Sequence, residues 1–155
     1  MTDTNTHMIG FIGHRLEKQP PGQFANTRIS DGLKALMQKE VRYWAAQGYL
    51  DFLFDNEGSL EQVFLEQVLL AKDNGYSDIR LCPERQNSIS QTNEADIIKN
   101  KKRLVDQANI LIAVYDGLAA GRTADTVSYA MEKGITIVIL DPGKLTRFVI
   151  PQRVE

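Results

Sequence analysis

The fold is decided by the stretch Ile110-Leu111-Ile112-Ala113-Val114-Tyr115, the most apolar run in the chain. A second apolar run, residues 135–140, follows it after a segment of helical length. Both runs are apolar at successive positions, so both faces of each predicted strand are buried. Parallel strands that lie between two layers of helices have this property. The pattern therefore predicts a parallel sheet covered on both sides.

Extended runs and amphipathic segments alternate outward from this stretch. Three further strands are predicted at 8–13, 49–54 and 79–82, and four helices over about 29–47, 59–73, 93–108 and 123–133. This alternation is typical of the α/β class. We predict a three-layer Rossmann-like parallel sheet of about five strands in the order 3-2-1-4-5, because right-handed crossovers produce such an order.

The domain organisation follows from the same pattern. Residues 1–7 are polar and are expected to form a flexible tail, and residues 8–142 form a single Rossmann-like domain. Residues 143–155 fit either a C-terminal tail or an accessory strand around Phe148-Val149-Ile150, which is also a candidate dimer contact. A chain of 155 residues is long enough for one buried core.

Composition and charge narrow the functional classes. Hydrophobic residues make up 43% of the chain and charged residues 25%, an average globular composition. The net charge of -2 gives no overall basic field for nucleic acid or anionic membranes. Nucleic acid binding would need a local basic patch.

The expected compartment is the cytoplasm. The single cysteine, Cys82, excludes an internal disulfide and any multi-cysteine metal site, and a lone thiol suits a reducing compartment. The first residues do not have the order of a signal peptide, and no apolar run approaches the roughly twenty residues of a membrane span. We expect no membrane association, no metal and no cofactor.

Three loops are predicted to meet at the carboxyl ends of the strands, in the crevice between the first and fourth strands. They are Gly13-His14-Arg15, Asn56-Glu57-Gly58-Ser59, and the segment with Asp116-Gly117 and Gly121-Arg122-Thr123. Two of the loops lead into helix N-termini, which favour anions. Gly117 and Gly121 would let the backbone approach a bound phosphate closely, and Thr123 offers a hydroxyl group. Arg15 and Arg122 offer forked guanidinium donors that suit phosphate oxygens. No Walker sequence or complete G-x-G-x-x-G is present.

Four motifs in this order resemble a known family. The segment Phe11-Ile12-Gly13-His14-Arg15 resembles the F-x-G-H-R opening of a bacterial branch of the SLOG superfamily, which is related to the LOG proteins and to the DNA-processing protein DprA. Residues 56–61 are similar to the second motif of this branch, N-H-G-x-F-D. Lys99-Asn100 is similar to its R-N step, and residues 121–130 are similar to its motif G-G-T-x-x-T-V-x-Y-A. The resemblance covers residues 8 to about 142. It implies a Rossmann-like domain for a nucleotide-like small molecule and adds Asn100 and Thr126 to the ligand-binding residues.

The sequence departs from the family pattern at several positions: Glu57 replaces its histidine, Glu61 replaces its aspartate, Asp55 stands where a glycine is common, and the stretch after Pro83 is short. Arg122 stands where the family has its second glycine. Its side chain either blocks the pocket or replaces the lost backbone contact to a phosphate. The P-G-G-x-G-T-x-x-E signature of catalytic LOG proteins is missing, and Asp125 or Thr126 occupies the region of its acid.

Several candidate residues have a structural alternative. His14 is either a phosphate ligand or proton donor, or it fixes the turn. Arg15 either binds the ligand or pairs with a surface carboxylate. Glu57 and Glu61, four residues apart, either form an acid/base pair across a glycosidic bond or simply favour the first turn of a helix.

Other residues are interpreted as packing or as solvated surface. The aromatic residues Tyr43, Trp44 and Tyr129 occur at core-facing helical spacings, although Tyr129 also suits stacking on a base. The basic cluster Lys99, Lys101, Lys102 and Arg103 is interpreted as a solvated helix face.

Three functions follow from these features. The first is binding of a nucleotide or nucleotide-derived phosphate ligand, as a sensor or binding module. The second is a LOG-like nucleoside 5'-monophosphate phosphoribohydrolase that uses Glu57 and Glu61 as catalytic residues. The third is DprA-like binding of single-stranded DNA through the Lys99 to Arg103 cluster together with the pocket arginines. It is ranked last because the net charge is negative and the chain has a single basic cluster. A homo-oligomer, most simply a dimer, is expected.

Overall fold

The computed structural model describes residues 7–13, 31–54, 59–83, 94–115, 122–142 and 144–152, without the side chains of 54, 59–61, 82–83, 94–100 and 122. Strands and helices alternate along this part of the chain. Their order is β1 (Met8–Gly13), α1 (Asp31–Ala46), β2 (Asp51–Phe54), α2 (Ser59–Asp73), β3 (Arg80–Pro83), α3 (Glu94–Gln107), β4 (Ile110–Val114), α4 (Arg122–Lys133), β5 (Thr136–Asp141) and β6 (Thr146–Ile150). The α/β class is confirmed.

The strands form one six-stranded sheet in the order β3-β2-β1-β4-β5-β6. The first five strands are parallel and follow the predicted order 3-2-1-4-5, which is confirmed. The sixth strand, β6, pairs antiparallel with β5 at the edge of the sheet. Gly13 pairs with Val114, and Val114 with Leu140, so the carboxyl ends of β1, β4 and β5 are level. The strand order reverses between β1 and β4, where the crevice is predicted.

Helices cover both faces of the sheet, as the apolar runs of β4 and β5 predict. One core lies under α1 and α2, where the rings of Phe11 and Phe64 stack with centroids 4.1 Å apart. The other core lies under α3 and α4 and includes Ile12. Successive residues of a strand point to opposite faces, which is why Phe11 and Ile12 enter different cores.

The apolar residues of α1 recur at helical spacing and form a stripe that packs on the first core. Leu33, Met37, Val41 and Ala45 are buried. Beyond the helix, Gly48 has a φ of 98° and its N–H donates to the carbonyl of Ala45 at 3.0 Å, so this glycine is the predicted terminator. The core-facing position predicted for Tyr43 is wrong, because its side chain lies beside the stripe and is 50% exposed.

The chain after β5 turns back in a short hairpin. The N–H of Leu145, which has a φ of 55°, donates to the carbonyl of Asp141 at 2.8 Å. Residues 146–150 then form β6, so the accessory strand is the alternative observed for this part of the C-terminal segment. None of the helices within the described ranges is long and apolar enough to cross a membrane.

Candidate functional site

The carboxyl edge of the sheet brings two of the predicted residues together. The buried Gly13 ends β1, and the second residue of α4 is Thr123, which is only 5% exposed. The Thr123 hydroxyl donates a hydrogen bond to the Gly13 carbonyl at 3.2 Å. This contact holds the first turn of the helix that follows β4 against the end of β1. The hydroxyl donor of Thr123 is therefore used within the protein.

The first turn of α4 has the charge distribution usual for a helix N-terminus. The first N–H groups of an α-helix have no partner within the helix, and the helix dipole places partial positive charge at this end. Asp125 lies in the turn and is exposed, as acidic residues at helix N-termini usually are. Thr126, another predicted residue, is 2% exposed and lies one turn further into the helix than Thr123.

A buried lysine, which the sequence pattern did not reveal, lies toward this edge. Lys101, in the basic cluster interpreted as a solvated face, is 3% exposed, so that interpretation is wrong for this residue. Lys101 precedes Leu104 by one turn of α3, and a Cβ built on Gly10 would lie 2.6 Å from the Leu104 Cδ2 atom. Because α3 ends beside Met8, its N-terminal direction leads toward the carboxyl edge. Lys101 therefore lies about 4.5 Å nearer that edge than Leu104.

A helical stripe is the signal that would have located this lysine. Lys101, Leu104, Val105 and Ala108 are spaced by three, four and seven residues, the spacing of one helix face. The three apolar members are buried in the core. A lysine on such a stripe is buried along its length even when neighbouring basic residues such as Lys102 are exposed.

The ring of Tyr129 lies in a polar contact between α3 and α4. Its hydroxyl donates to the Asp106 carboxylate at 2.6 Å, and the Lys133 Nζ atom lies 3.0 Å from the same carboxylate oxygen. The Nζ atoms of Lys102 and Lys133 lie 5.3 and 5.8 Å from the ring centroid. These contacts assign the Tyr129 side chain to the α3–α4 interface.

The same contact shifts three pKa values. Burial raises the pKa of Asp106, but hydrogen bonds from Tyr129 and Lys133 outweigh this and leave it below its ordinary value. The hydrogen bond to Asp106 raises the pKa of Tyr129 and that of Lys133. The network therefore favours a charged Asp106–Lys133 pair that links the two helices near neutral pH.

The remaining predicted residues stay predictions. Outside the described residues lie His14, Arg15, Asn56, Glu57, Gly58, Asp116, Gly117 and Gly121. Ser59 and Glu61 occupy the first turn of α2, Asn100 lies within α3, and Arg122 begins α4, with only their backbones described. Within the described part of the chain, no group of three or more His, Cys, Asp or Glu residues is arranged to hold a metal ion.

Comparison with known proteins adds no family. No protein-family model matches the sequence, and a search of the curated proteins finds no match. The class of protein is therefore defined by the structure itself, as a Rossmann-like α/β domain with a mostly parallel six-stranded sheet.

Proposed function

We propose that this chain binds a nucleotide or a nucleotide-derived phosphate ligand at the carboxyl edge of the sheet, as a sensor or binding module. The observation that carries the proposal is the 3.2 Å hydrogen bond from the Thr123 hydroxyl to the Gly13 carbonyl. It joins the first turn of α4 to the end of β1, where the strand order reverses. Ligands of open α/β sheets bind at such reversals.

An anionic ligand is favoured by the charges near this position. The N-terminus of α4 supplies unpaired N–H groups and the positive end of a helix dipole. The buried Lys101 lies toward the same edge. Resemblance to the SLOG superfamily supports a nucleotide-like ligand, with Arg122 replacing the contact that a second glycine provides in the family pattern.

Calorimetric titration tests the proposal with AMP, ADP-ribose and cyclic AMP, and with adenosine as the control that lacks phosphate. We expect the phosphate compounds to bind and adenosine to bind at least about ten-fold more weakly, since a charge-assisted contact contributes about 1.5 kcal/mol or more. The proposal fails if none of the phosphate compounds binds. Free base released from a monophosphate would instead favour the phosphoribohydrolase function and the roles of Glu57 and Glu61.

The Arg122→Ala variant tests how the ligand is held. We expect it to weaken phosphate binding by about 1.5 to 3 kcal/mol, because it removes a charge-assisted hydrogen bond. Arg42→Ala is the matched control, since it removes an exposed arginine from α1. Tighter binding by Arg122→Ala would show that this arginine closes the pocket and would refute its role as a ligand contact.

A cytoplasmic homodimer is part of the same proposal. The edge strand β6 presents Phe148 with 63% of its surface exposed, and exposed edge strands with large apolar side chains favour association. Sedimentation velocity of the parent chain and of Phe148→Asp tests the dimer. We expect a dimer for the parent and a monomer for the variant, and a monomeric parent at all concentrations would refute the association.

A further inference from the structure

A cavity of about 490 Å³ opens between α1 and β6, on the face of the sheet that carries the first core. We refer to it as the α1–β6 pocket. It is lined by Leu36, Lys39, Glu40, Tyr43, Leu145 and Arg147. Small-molecule sites have volumes of about 300 to 1,000 Å³, so the α1–β6 pocket has the size of one.

The pocket contains an arginine held in a fixed orientation. The Nε atom of Arg147 donates to Glu40 Oε1 at 2.6 Å, and its Nη2 atom donates to Glu40 Oε2 at 2.9 Å. Glu40 is 2% exposed, and its Oε2 also accepts a hydrogen bond from Trp44 Nε1 at 2.7 Å. Both carboxylate oxygens are therefore occupied. Within the described residues no acceptor engages Arg147 Nη1, which leaves donors for a ligand.

The charges and walls of the pocket define the chemistry of that ligand. Lys39 is exposed on α1 and adds a second cation, so the described lining residues carry a net charge of +1 from these two cations and Glu40. The Arg147 Cζ atom lies 5.4 Å from the centroid of the Tyr43 ring, which forms a flat apolar wall. Leu36 and Leu145 line the rest. A ligand that complements this lining is a monoanion with an apolar body.

The pocket is separate from the carboxyl edge between β1 and β4. Arg147 pairs with Leu140, Leu140 with Val114, and Val114 with Gly13. Three strand spacings, about 14 Å, therefore separate Arg147 from Gly13. A ligand in the α1–β6 pocket does not depend on the proposed nucleotide site.

We propose that the α1–β6 pocket binds a small monocarboxylate with an apolar or aromatic body. The carboxylate accepts hydrogen bonds from Arg147 Nη1 and from the Lys39 ammonium group. The body packs on the Tyr43 ring and the two leucine side chains. Glu40 acts as a positioning residue, because it orients Arg147 without contacting the ligand.

Titration calorimetry with 4-phenylbutyrate tests the proposal, with 4-phenylbutan-1-ol as the neutral control of similar shape. We expect the carboxylate to bind at least about ten-fold more tightly than the alcohol, because only the anion forms charge-assisted hydrogen bonds. Trp44 is the only tryptophan of the chain and bonds to Glu40, so its fluorescence locates the binding event. We expect a saturable change in Trp44 emission at the same concentrations as the heat.

Three variants distinguish a specific binding site from nonspecific electrostatic attraction. Lys39→Gln removes one cation, and Arg147→Lys keeps a cation beside Glu40 but removes the forked guanidinium. Arg42→Gln is the control, since it removes an exposed positive charge from α1 outside the pocket lining. We expect the first two to weaken 4-phenylbutyrate binding by about ten-fold and the control to leave it unchanged. Circular dichroism checks that each variant is folded.

Three results would overturn the proposal. The first is that 4-phenylbutyrate gives no heat of binding at concentrations up to about 10 mM, which is far above the dissociation constant of a specific site. The second is equal binding of the alcohol and the carboxylate. The third is an equal effect of Lys39→Gln and Arg42→Gln, which would reduce the interaction to the overall charge of α1.

Discussion

The bond between Glu40 and Arg147 gives the sharpest prediction about stability. Glu40 is 2% exposed, whereas the Arg147 side chain is 39% exposed, so removing the arginine leaves a buried carboxylate with only Trp44 as its described partner. Breaking a buried ion pair in this way costs about 3 to 5 kcal/mol. The exposure of Arg147 places the expected cost of Arg147→Met at the lower end, at about 3 kcal/mol. The corresponding loss in Tm is about 6 to 12 °C.

Substitution of the other partner, Glu40, is expected to lower the free energy of unfolding by less. In Glu40→Gln the amide oxygen still accepts from Trp44, and the guanidinium of Arg147 regains contact with water on its exposed side. We expect a loss of about 1 kcal/mol for this variant, in the range of one net hydrogen bond. The double variant Glu40→Gln/Arg147→Met has no buried charge at this position. It should lose less than the sum of the two single variants.

A double-mutant cycle measures this coupling. Urea unfolding of the four proteins is followed by the fluorescence of Trp44, the only tryptophan in the chain. We expect a coupling free energy of about 1.5 to 3 kcal/mol, the range for close, hydrogen-bonded charge pairs. A coupling below about 0.5 kcal/mol would refute the reasoning, because that value is typical of exposed pairs. Such a result would show that water screens Glu40 despite its burial.

Three further predictions concern the opposite face of the sheet. Thr123→Val removes the hydroxyl that bonds to Gly13 and should cost about 1 kcal/mol in the free energy of unfolding; an unchanged urea midpoint would contradict it. Gly10→Ala places a methyl group 2.6 Å from the Leu104 side chain and should cost about 1 to 3 kcal/mol, whereas a rise in Tm would show that α3 moves freely. The lowered pKa of Asp106 stabilises the fold above the ordinary aspartate pKa, and this is lost as the pH falls through the lowered value. Asp106→Asn should therefore flatten the acid limb of the Tm profile below about pH 4, and a parallel profile would contradict this.

The fold was accessible from the sequence because its signals are local. The apolar runs of β4 and β5 are continuous, the stripe of α1 has helical period, and Gly48 supplies a positive φ at the end of the helix. The strand order then follows from right-handed crossovers. The sixth strand was less clear, because β6 lies at an edge and its first three residues are exposed. Its hairpin turn uses Leu145 in a left-handed conformation, where no glycine marks the position.

The sites were less accessible because burial of charge depends on distant partners. Glu40 lies on a helix where a glutamate is ordinary, and the arginine that accompanies its burial is 107 residues away. Lys101 lies among other basic residues, which suggested a solvated face. Of the predicted crevice residues, Gly13 and Thr123 are joined by a hydrogen bond that depends on the meeting of β1 and α4. No spacing within either segment contains that information.

Two charged side chains are buried in the part of the chain that the structure describes, one on each face of the sheet. A buried ionic group is weak support for stability, since well-packed apolar residues of similar volume are often as stable or more so. Glu40 lies on α1 with its carboxylate oxygens bonded to Arg147, and Lys101 lies on α3, toward the carboxyl end of β1. Burial of Glu40 therefore accompanies an arginine whose donors line the α1–β6 pocket, which accords with the binding role proposed for that pocket. About 14 Å separates Arg147 from Gly13 across the sheet, so binding at the α1–β6 pocket should persist in a variant that loses the binding proposed for the carboxyl edge.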